Sequence, residues 1–173
     1  MMTTKERGTF MRKKTYIKMT KPFREYPKLA NILHILNRFC TGGMYLAYPL
    51  LLVYLFLTND IMLQKAILIP ASSFLLLSFF RKAVNRKRPY EAFEMPPIIP
   101  KKTKGNSFPS RHVFSATMIS MTFLLISPWS WIGVIFLCLS CLLAVVRVIS
   151  GVHYISDVLA GLLVAILWGM WWY

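Results

Sequence analysis

Hydrophobic positions fall into five runs long enough to cross a bilayer, which takes about 20 apolar residues in a helix. The runs cover 41–58, 61–80, 110–127, 131–149 and 155–172. The joints between them are short at Asn59 and Asp60, at 128–130 and at 150–154, and only the joint at 81–109 is long. A further apolar stretch, 27–38, places Leu29, Ile32, Leu33, Ile35 and Leu36 at helical spacings but is too short to span. It is expected to be an interfacial helix or an extension of the first span. The pattern predicts an all-α, polytopic membrane helix bundle of about five transmembrane helices with an interfacial N-terminal segment. It divides the chain into a basic tail over 1–28 and a membrane-embedded domain over 29–173.

Composition sharpens this plan. Of 173 residues, 56% are hydrophobic, yet 21 Lys and Arg stand against 6 Asp and Glu, a net charge of +15. A soluble domain of this size could not hide so much apolar sequence, and a disordered basic chain would lack the long Leu, Ile and Phe runs. The charge is segregated: Lys5, Arg7, Arg12, Lys13, Lys14, Lys18, Lys21, Arg24 and Lys28 precede the first long run, and a second cluster lies between Arg81 and Arg111. No recognition-helix, finger or aromatic RNA-binding pattern accompanies it, so a nucleic-acid partner is not expected. The tail lacks the apolar core of a cleavable signal, and is expected to lie in the cytoplasm, solvated or against anionic headgroups.

Five antiparallel spans put the tail, the long joint and Arg147 on one membrane face. The opposite joints carry no Lys or Arg, which makes the charged face cytoplasmic by the positive-inside rule. Trp129, Trp131, Trp168, Trp171, Trp172 and Tyr173 gather toward the other boundary, as interface anchors do. Cys40, Cys138 and Cys141 lie in apolar surroundings, where a thiol packs as a small hydrophobe, and no metal site is expected.

The chemistry-bearing residues gather on the charged face. His112 and His153, two of the 3 histidines, fall there, within the clusters R-K-A-V-N-R-K-R-P from Arg81, F-P-S-R-H from Phe108 and R-V-I-S-G-V-H-Y-I-S-D from Arg147. Guanidinium forks, hydroxyls and helix-start amides suit the holding of a phosphoryl group. His153 and Asp157 are four apart, so a carboxylate–imidazole bond can fix the tautomer and free the other ring nitrogen as a nucleophile. Gly151 would allow the tight turn that brings Arg147 back toward His153.

Together these clusters resemble the three motifs of the type 2 phosphatidic acid phosphatase superfamily of membrane lipid phosphatases: K-x6-R-P, P-S-G-H and S-R-x5-H-x3-D. Here they read Arg81-x6-Arg88-Pro89, Pro109-Ser110-Arg111-His112 and Val146-Arg147-x5-His153-x3-Asp157. The resemblance runs from about residue 36 to the C-terminus. It implies a lipid phosphate phosphatase needing no metal or cofactor, whose substrate is phosphatidic acid, phosphatidylglycerol phosphate or a polyprenyl diphosphate. By this resemblance His153 attacks phosphorus to form a phosphohistidine, Asp157 orients it, and His112 serves as acid and then base. Arg81, Arg88, Ser110, Arg111 and Arg147 would bind the phosphate.

Three positions depart from the motifs: Arg81 replaces Lys, Arg111 replaces Gly, and Val146 replaces Ser. Lys82 is one residue out of register and on a helix would point about 100° away. The departures leave open a catalytically inactive family member acting as a membrane scaffold or lipid-binding protein. The related vanadium haloperoxidases are soluble and larger, which the spans argue against. Family members commonly have six spans and an external or lumenal site, whereas this chain shows five and its charge favours the cytoplasmic face of a bacterial-type cell membrane. Oligomeric state is not legible.

Overall fold

The computed structural model describes residues 13–173, so Lys5, Arg7 and Arg12 of the basic tail lie outside the described residues. Seven helices follow in order: α1 (Lys13–Glu25), α2 (Pro27–Leu57), α3 (Leu63–Val84), the single turn α4 (Pro89–Ala92), α5 (Arg111–Leu125), α6 (Ser130–Ile149) and α7 (Ile155–Trp172). No strand occurs among the described residues. Four helical segments are long and apolar enough to cross a membrane: Pro27–Leu57, Leu63–Ala92, Ser130–Ile149 and Ile155–Trp172. The remaining predicted span, 110–127, corresponds to α5, which has only 15 residues and is therefore about 22 Å long.

α5 is the axis of the bundle. It packs against α6 and α7 and also touches α2 and α3, and it is buried without a break from Ala116 to Phe123. The surrounding helices each turn one stripe toward it. In α2 the stripe is Leu33, Cys40, Met44, Leu51 and Leu55; in α3 it is Ala66, Ile69, Ser73, Leu77 and Arg81. Intervals of three, four and seven keep such residues on one helical face. Outward faces stay apolar, with Leu46, Phe56, Leu68, Phe79 and Leu167 all exposed, the reverse of a soluble bundle and suited to lipid contact. Trp131, Trp171 and Trp172 are likewise exposed, at the end away from the site.

Of the two readings open for one apolar stretch the structure takes the second, and one further expectation changes. The stretch 27–38 is the first part of α2, continuous with the first span, because the stripe through Leu33 and Cys40 carries on packing across that boundary. Residues 13–25 of the basic tail form an amphipathic helix, α1, rather than a solvated extension. Its lysines face outward while Tyr16 and Thr20, one turn apart, are fully buried. Tyr16 stacks on Phe93 and joins Tyr154 in a small aromatic cluster. The Pro-rich segment after α4 is pinned rather than loose: Ile98 donates its N–H to the Ser150 carbonyl, and Ile99 packs with Leu33 and Val146.

Close approach of α5 and α6 requires Gly133, since a Cβ there would collide with the Leu124 backbone. Gly133→Ala is therefore expected to destabilise the bundle by about 1–3 kcal/mol through overpacking, read as a lower thermal midpoint in detergent. Gly42→Ala is the control. It meets nothing within 4 Å and should leave the midpoint unchanged or slightly higher.

Candidate active site

Three of the inward stripes carry a polar residue at the same end of the bundle. The α3 stripe ends at Arg81, the α6 stripe near its C-terminus at Arg147, and the α7 stripe begins at Asp157. The packing that builds the core thus delivers these groups to one place. Asn85, in the left-handed conformation (φ 40°, ψ 43°), caps α3 and turns the chain back. Gly151, at φ 73°, makes the turn after α6, and Val152 and His153 donate their N–H groups to the Arg147 carbonyl.

The buried pair at the centre is His153, 2% exposed, and Asp157, 0% exposed. Asp157 Oδ2 accepts from the Tyr154 N–H at 3.0 Å, from the Ser107 hydroxyl at 2.5 Å, and lies 3.4 Å from His153 Nδ1. Its Oδ1 accepts from Arg86 Nη1 at 2.8 Å. The Ser107 hydroxyl has one hydrogen and gives it to Asp157, so toward His153 Nδ1, at 3.4 Å, it offers only a lone pair. Both neighbours of Nδ1 are acceptors, and Nδ1 must carry the proton. On the other side of the ring Arg88 Nη1 lies 3.3 Å from Nε2, and arginine can only donate. Nε2 therefore presents a lone pair, the state a nucleophile needs.

Around Nε2 lies a cavity of about 240 Å³ lined by Arg81, Arg88, Arg111, His112, His153 and the lysines Lys82, Lys101 and Lys104, with no acidic residue in its wall. Arg88 is held by bonds to the Gly105 and Val152 carbonyls, and Arg81 donates to the carbonyls of Pro109 and Asn106. Glu91 supports this loop by accepting from Gly105 N–H at 2.8 Å and Arg88 N–H at 3.3 Å. The guanidinium groups are thereby oriented before any ligand arrives.

Of the predicted site residues, His153, His112, Arg81, Arg88 and Arg111 line the cavity. Ser110 and Arg147 do not, but both are buried, and Ser110 Oγ and Arg147 Nε have no hydrogen-bond partner among the described residues. Lys82, expected to point away, reaches the cavity through its long side chain. Sequence reasoning missed Arg86 and Ser107. The available signal was the chemistry around Asp157: a carboxylate at a span boundary needs partners for both oxygens, and these two polar residues stand near the two ends of the long joint, Arg86 between Arg81 and Arg88 and Ser107 just before Pro109.

A second cavity, about 670 Å³ and mainly apolar, opens between α2, α3 and α5 and is lined by Tyr45, Tyr48, Leu52, Phe74, Phe114 and Met118 among others. Arg111 and His112 belong to both walls. Arg111 stands at the junction with its guanidinium 5.6 Å from the Phe74 ring centre, a cation–π distance.

Burial, together with the Arg88 and Arg147 charges, pushes His153 down to about 4, although its hydrogen bond with Asp157 opposes this. Burial and four neighbouring arginines likewise lower Lys101. An unfolded histidine titrates near 6.5. A folded value below that means full stability above about 6.5, lost progressively as pH falls toward 4. The thermal midpoint should fall over that window, and His153→Gln should flatten the fall; an identical slope in the variant would contradict the burial of a neutral imidazole.

Comparison with the curated proteins finds no match. Among solved structures, the crystal structure of Aquifex aeolicus LpxE superposes with a TM-score of 0.69 at 24% identity, covering 91% of each chain. A transmembrane PAP2 type phosphatidylglycerolphosphate phosphatase from Bacillus subtilis superposes with a TM-score of 0.68 at 19% identity, covering 91% of this chain and 82% of that one. These likenesses establish a shared helical membrane fold. The family model of the PAP2 superfamily matches residues 62–173, a stretch that contains all three polar clusters, and the chain belongs to that superfamily.

Proposed function

We propose that this integral membrane protein hydrolyses the phosphomonoester or diphosphate of a lipid through a phosphohistidine. The observation that carries the reading is the junction of the two cavities: a cationic one of about 240 Å³ around His153 Nε2 meets an apolar one of about 670 Å³ at Arg111 and His112. An anionic head joined to a long apolar tail fits that pair of volumes, and a small soluble phosphate uses only one. Phosphatidic acid, phosphatidylglycerol phosphate and polyprenyl diphosphates share this form, and the names of the structural neighbours point the same way.

In this mechanism the nonbridging oxygens lie among Arg81, Arg88 and Arg111, with Ser110 Oγ, Arg147 Nε and the unpaired amides at the start of α5 as further donors. His153 Nε2 forms a bond to phosphorus as the P–O bond to the lipid breaks. His112 gives its proton to the departing oxygen; the substrate's negative charge favours the protonated imidazole that this requires. Neutral again, His112 takes a proton from water, whose oxygen attacks the phosphohistidine and releases phosphate. Asp157 stabilises the positive charge that builds on His153 as the N–P bond forms and that is lost when water breaks it. The guanidiniums supply the charge stabilisation that a divalent ion gives elsewhere, so the reading requires no metal. Arg111 in place of glycine keeps the helix-start amides while adding a cation at the head–tail junction.

Purified protein should release phosphate from lipid phosphates far faster than from water-soluble monoesters, with inhibition by vanadate and no loss in EDTA. His153→Ala should lower the rate by at least about 10³-fold. Release unaffected by this change would remove the nucleophile, and chelator-sensitive release would overturn the metal-free step.

The charge pattern supports a cytoplasmic site. The C-terminal residue Tyr173 lies at the end of the bundle away from the site, so a reporter fused there should be active outside the cell. Activity inside would put the phosphatase site on the external face.

A further inference from the structure

Arg86 is charged, lies close to the reacting pair and yet does not line the cationic cavity. Its Nη1 donates to Asp157 Oδ1 and to Ser156 Oγ, both at 2.8 Å. Its guanidinium stacks over the Tyr154 ring at 4.3 Å and lies 5.9 Å from that of Phe108. Held between two rings and bonded to a carboxylate, the group has a defined plane and little freedom to turn toward a substrate. Ser107, 0% exposed, bonds to the other carboxylate oxygen. The two residues are also tied to each other, because the Ser107 N–H donates to the Arg86 carbonyl at 2.9 Å.

We infer that Arg86 and Ser107 are a positioning pair for Asp157: Arg86 fixes one carboxylate oxygen and Ser107 the other, which keeps the second oxygen aimed at His153 Nδ1 and so leaves Nε2 free to attack.

The terminal torsion of an aspartate is soft, so nothing within Asp157 itself fixes the plane in which it presents an oxygen to the imidazole. The 3.4 Å separation from Nδ1 is too long for that bond alone to set the plane. Binding Oδ1 to a guanidinium held between two rings fixes that plane. It also supplies the countercharge that a carboxylate at zero exposure needs. Without Arg86, the buried carboxylate must either rotate or take the charge it lacks from His153, which would then hold protons on both nitrogens and lose its lone pair. Ser107 adds the directional part, since its single hydrogen is spent on Asp157 and its lone pair faces Nδ1.

The mechanistic consequence rests on the phosphatase reading, but the positioning itself does not, and two arms separate them. In the first, the full chain with ¹⁵N-labelled histidine is studied in detergent without substrate. His153, identified by the signal lost in His153→Gln, is expected as a single Nδ1–H tautomer in the unaltered protein. In Arg86→Gln and Ser107→Ala the ring should become a tautomer mixture or imidazolium, and Arg86→Lys should restore part of the original signature. Unchanged ring shifts in folded Arg86→Gln, or in Ser107→Ala should the former not fold, overturn the inference.

In the second arm, phosphate release from a lipid phosphate should show kcat lowered about 10- to 100-fold in Arg86→Gln with KM within about twofold. The Arg86→Gln, Asp157→Asn double variant should be no slower than Asp157→Asn alone, because a residue acting only through Asp157 has nothing left to position. A raised KM with kcat retained, or losses that multiply, would make Arg86 a phosphate ligand or an independent group and overturn its positioning role. If the unaltered protein releases no phosphate from any lipid, the phosphatase reading fails while the spectra still decide the positioning.

Discussion

A carboxylate with no solvent exposure, set between helices whose outer faces meet lipid, must have every lone pair accounted for, and Asp157 imposes that requirement on the whole upper part of the bundle. Its partners come from three separate stretches of chain: Arg86 after α3, Ser107 before α5, and His153 and Tyr154 before α7. The Ser110 N–H also donates to its main-chain carbonyl at 2.8 Å, which sets the start of α5 against the first turn of α7. That approach depends on Gly161, where a Cβ would lie 2.9 Å from the Ser110 carbonyl oxygen. The long joint between α3 and α5 is ordered because the residues at its two ends both answer to one anion. Removing a partner would leave a desolvated charge, which costs more than the lost bond itself.

The excess of positive charge divides into groups with different physical tasks. Arg86 neutralises a carboxylate. Arg81 and Arg88 hold loop carbonyls and present their remaining surface to the cavity, so they are at once structural and available to an anion. Lys101 and Lys104 come from the loop above and Arg111 from the helix start. A pocket with so many cations and no acid in its wall is unfavourable in isolation; the repulsion is relieved when a multiply charged anion occupies it, and part of the binding energy is that relief. The outward lysines of α1 face away from this cavity and meet whatever lies at the membrane surface.

Much of this was legible in the sequence because membrane proteins restrict where polar residues can stand. The span pattern located the helix boundaries, and the convergence of Arg81, Arg88, His112, His153 and Asp157 followed from alternating helix direction. What could not be read was tertiary. The burial of Tyr16 in an otherwise basic segment depends on the space left by Gly151 and the aromatic face of Tyr154. The continuity of α2 through Cys40 was one of two readings open for the stretch 27–38, and the choice between them rests on neighbours that hold a stripe across a polar boundary. Arg86 was hidden among five basic residues in eight positions, where only the left-handed turn at Asn85 decides which of them points inward. Lys82 shows the same limit in reverse, since helical direction constrains a Cβ far more than it constrains an ammonium four carbons away.

The 15-residue length of α5 has a consequence for where in space the chemistry takes place. A hydrocarbon layer is about 30 Å thick, while α2, with 31 residues, runs to about 46 Å and has Leu33 packed level with Val146 and Ile149 at the end of α6. The turns of α2 before Leu33 run on past the level at which α6 ends, with α1 and the pinned loop packed beside them, and His112 and His153 lie at that same end of the bundle. On the proposed function, a lipid phosphate lodged there would keep its tail in its own leaflet without being lifted into water. Turnover would then follow the surface density of substrate among other lipids, so that diluting it with inert lipid at constant bulk concentration would act as a falling concentration does in solution.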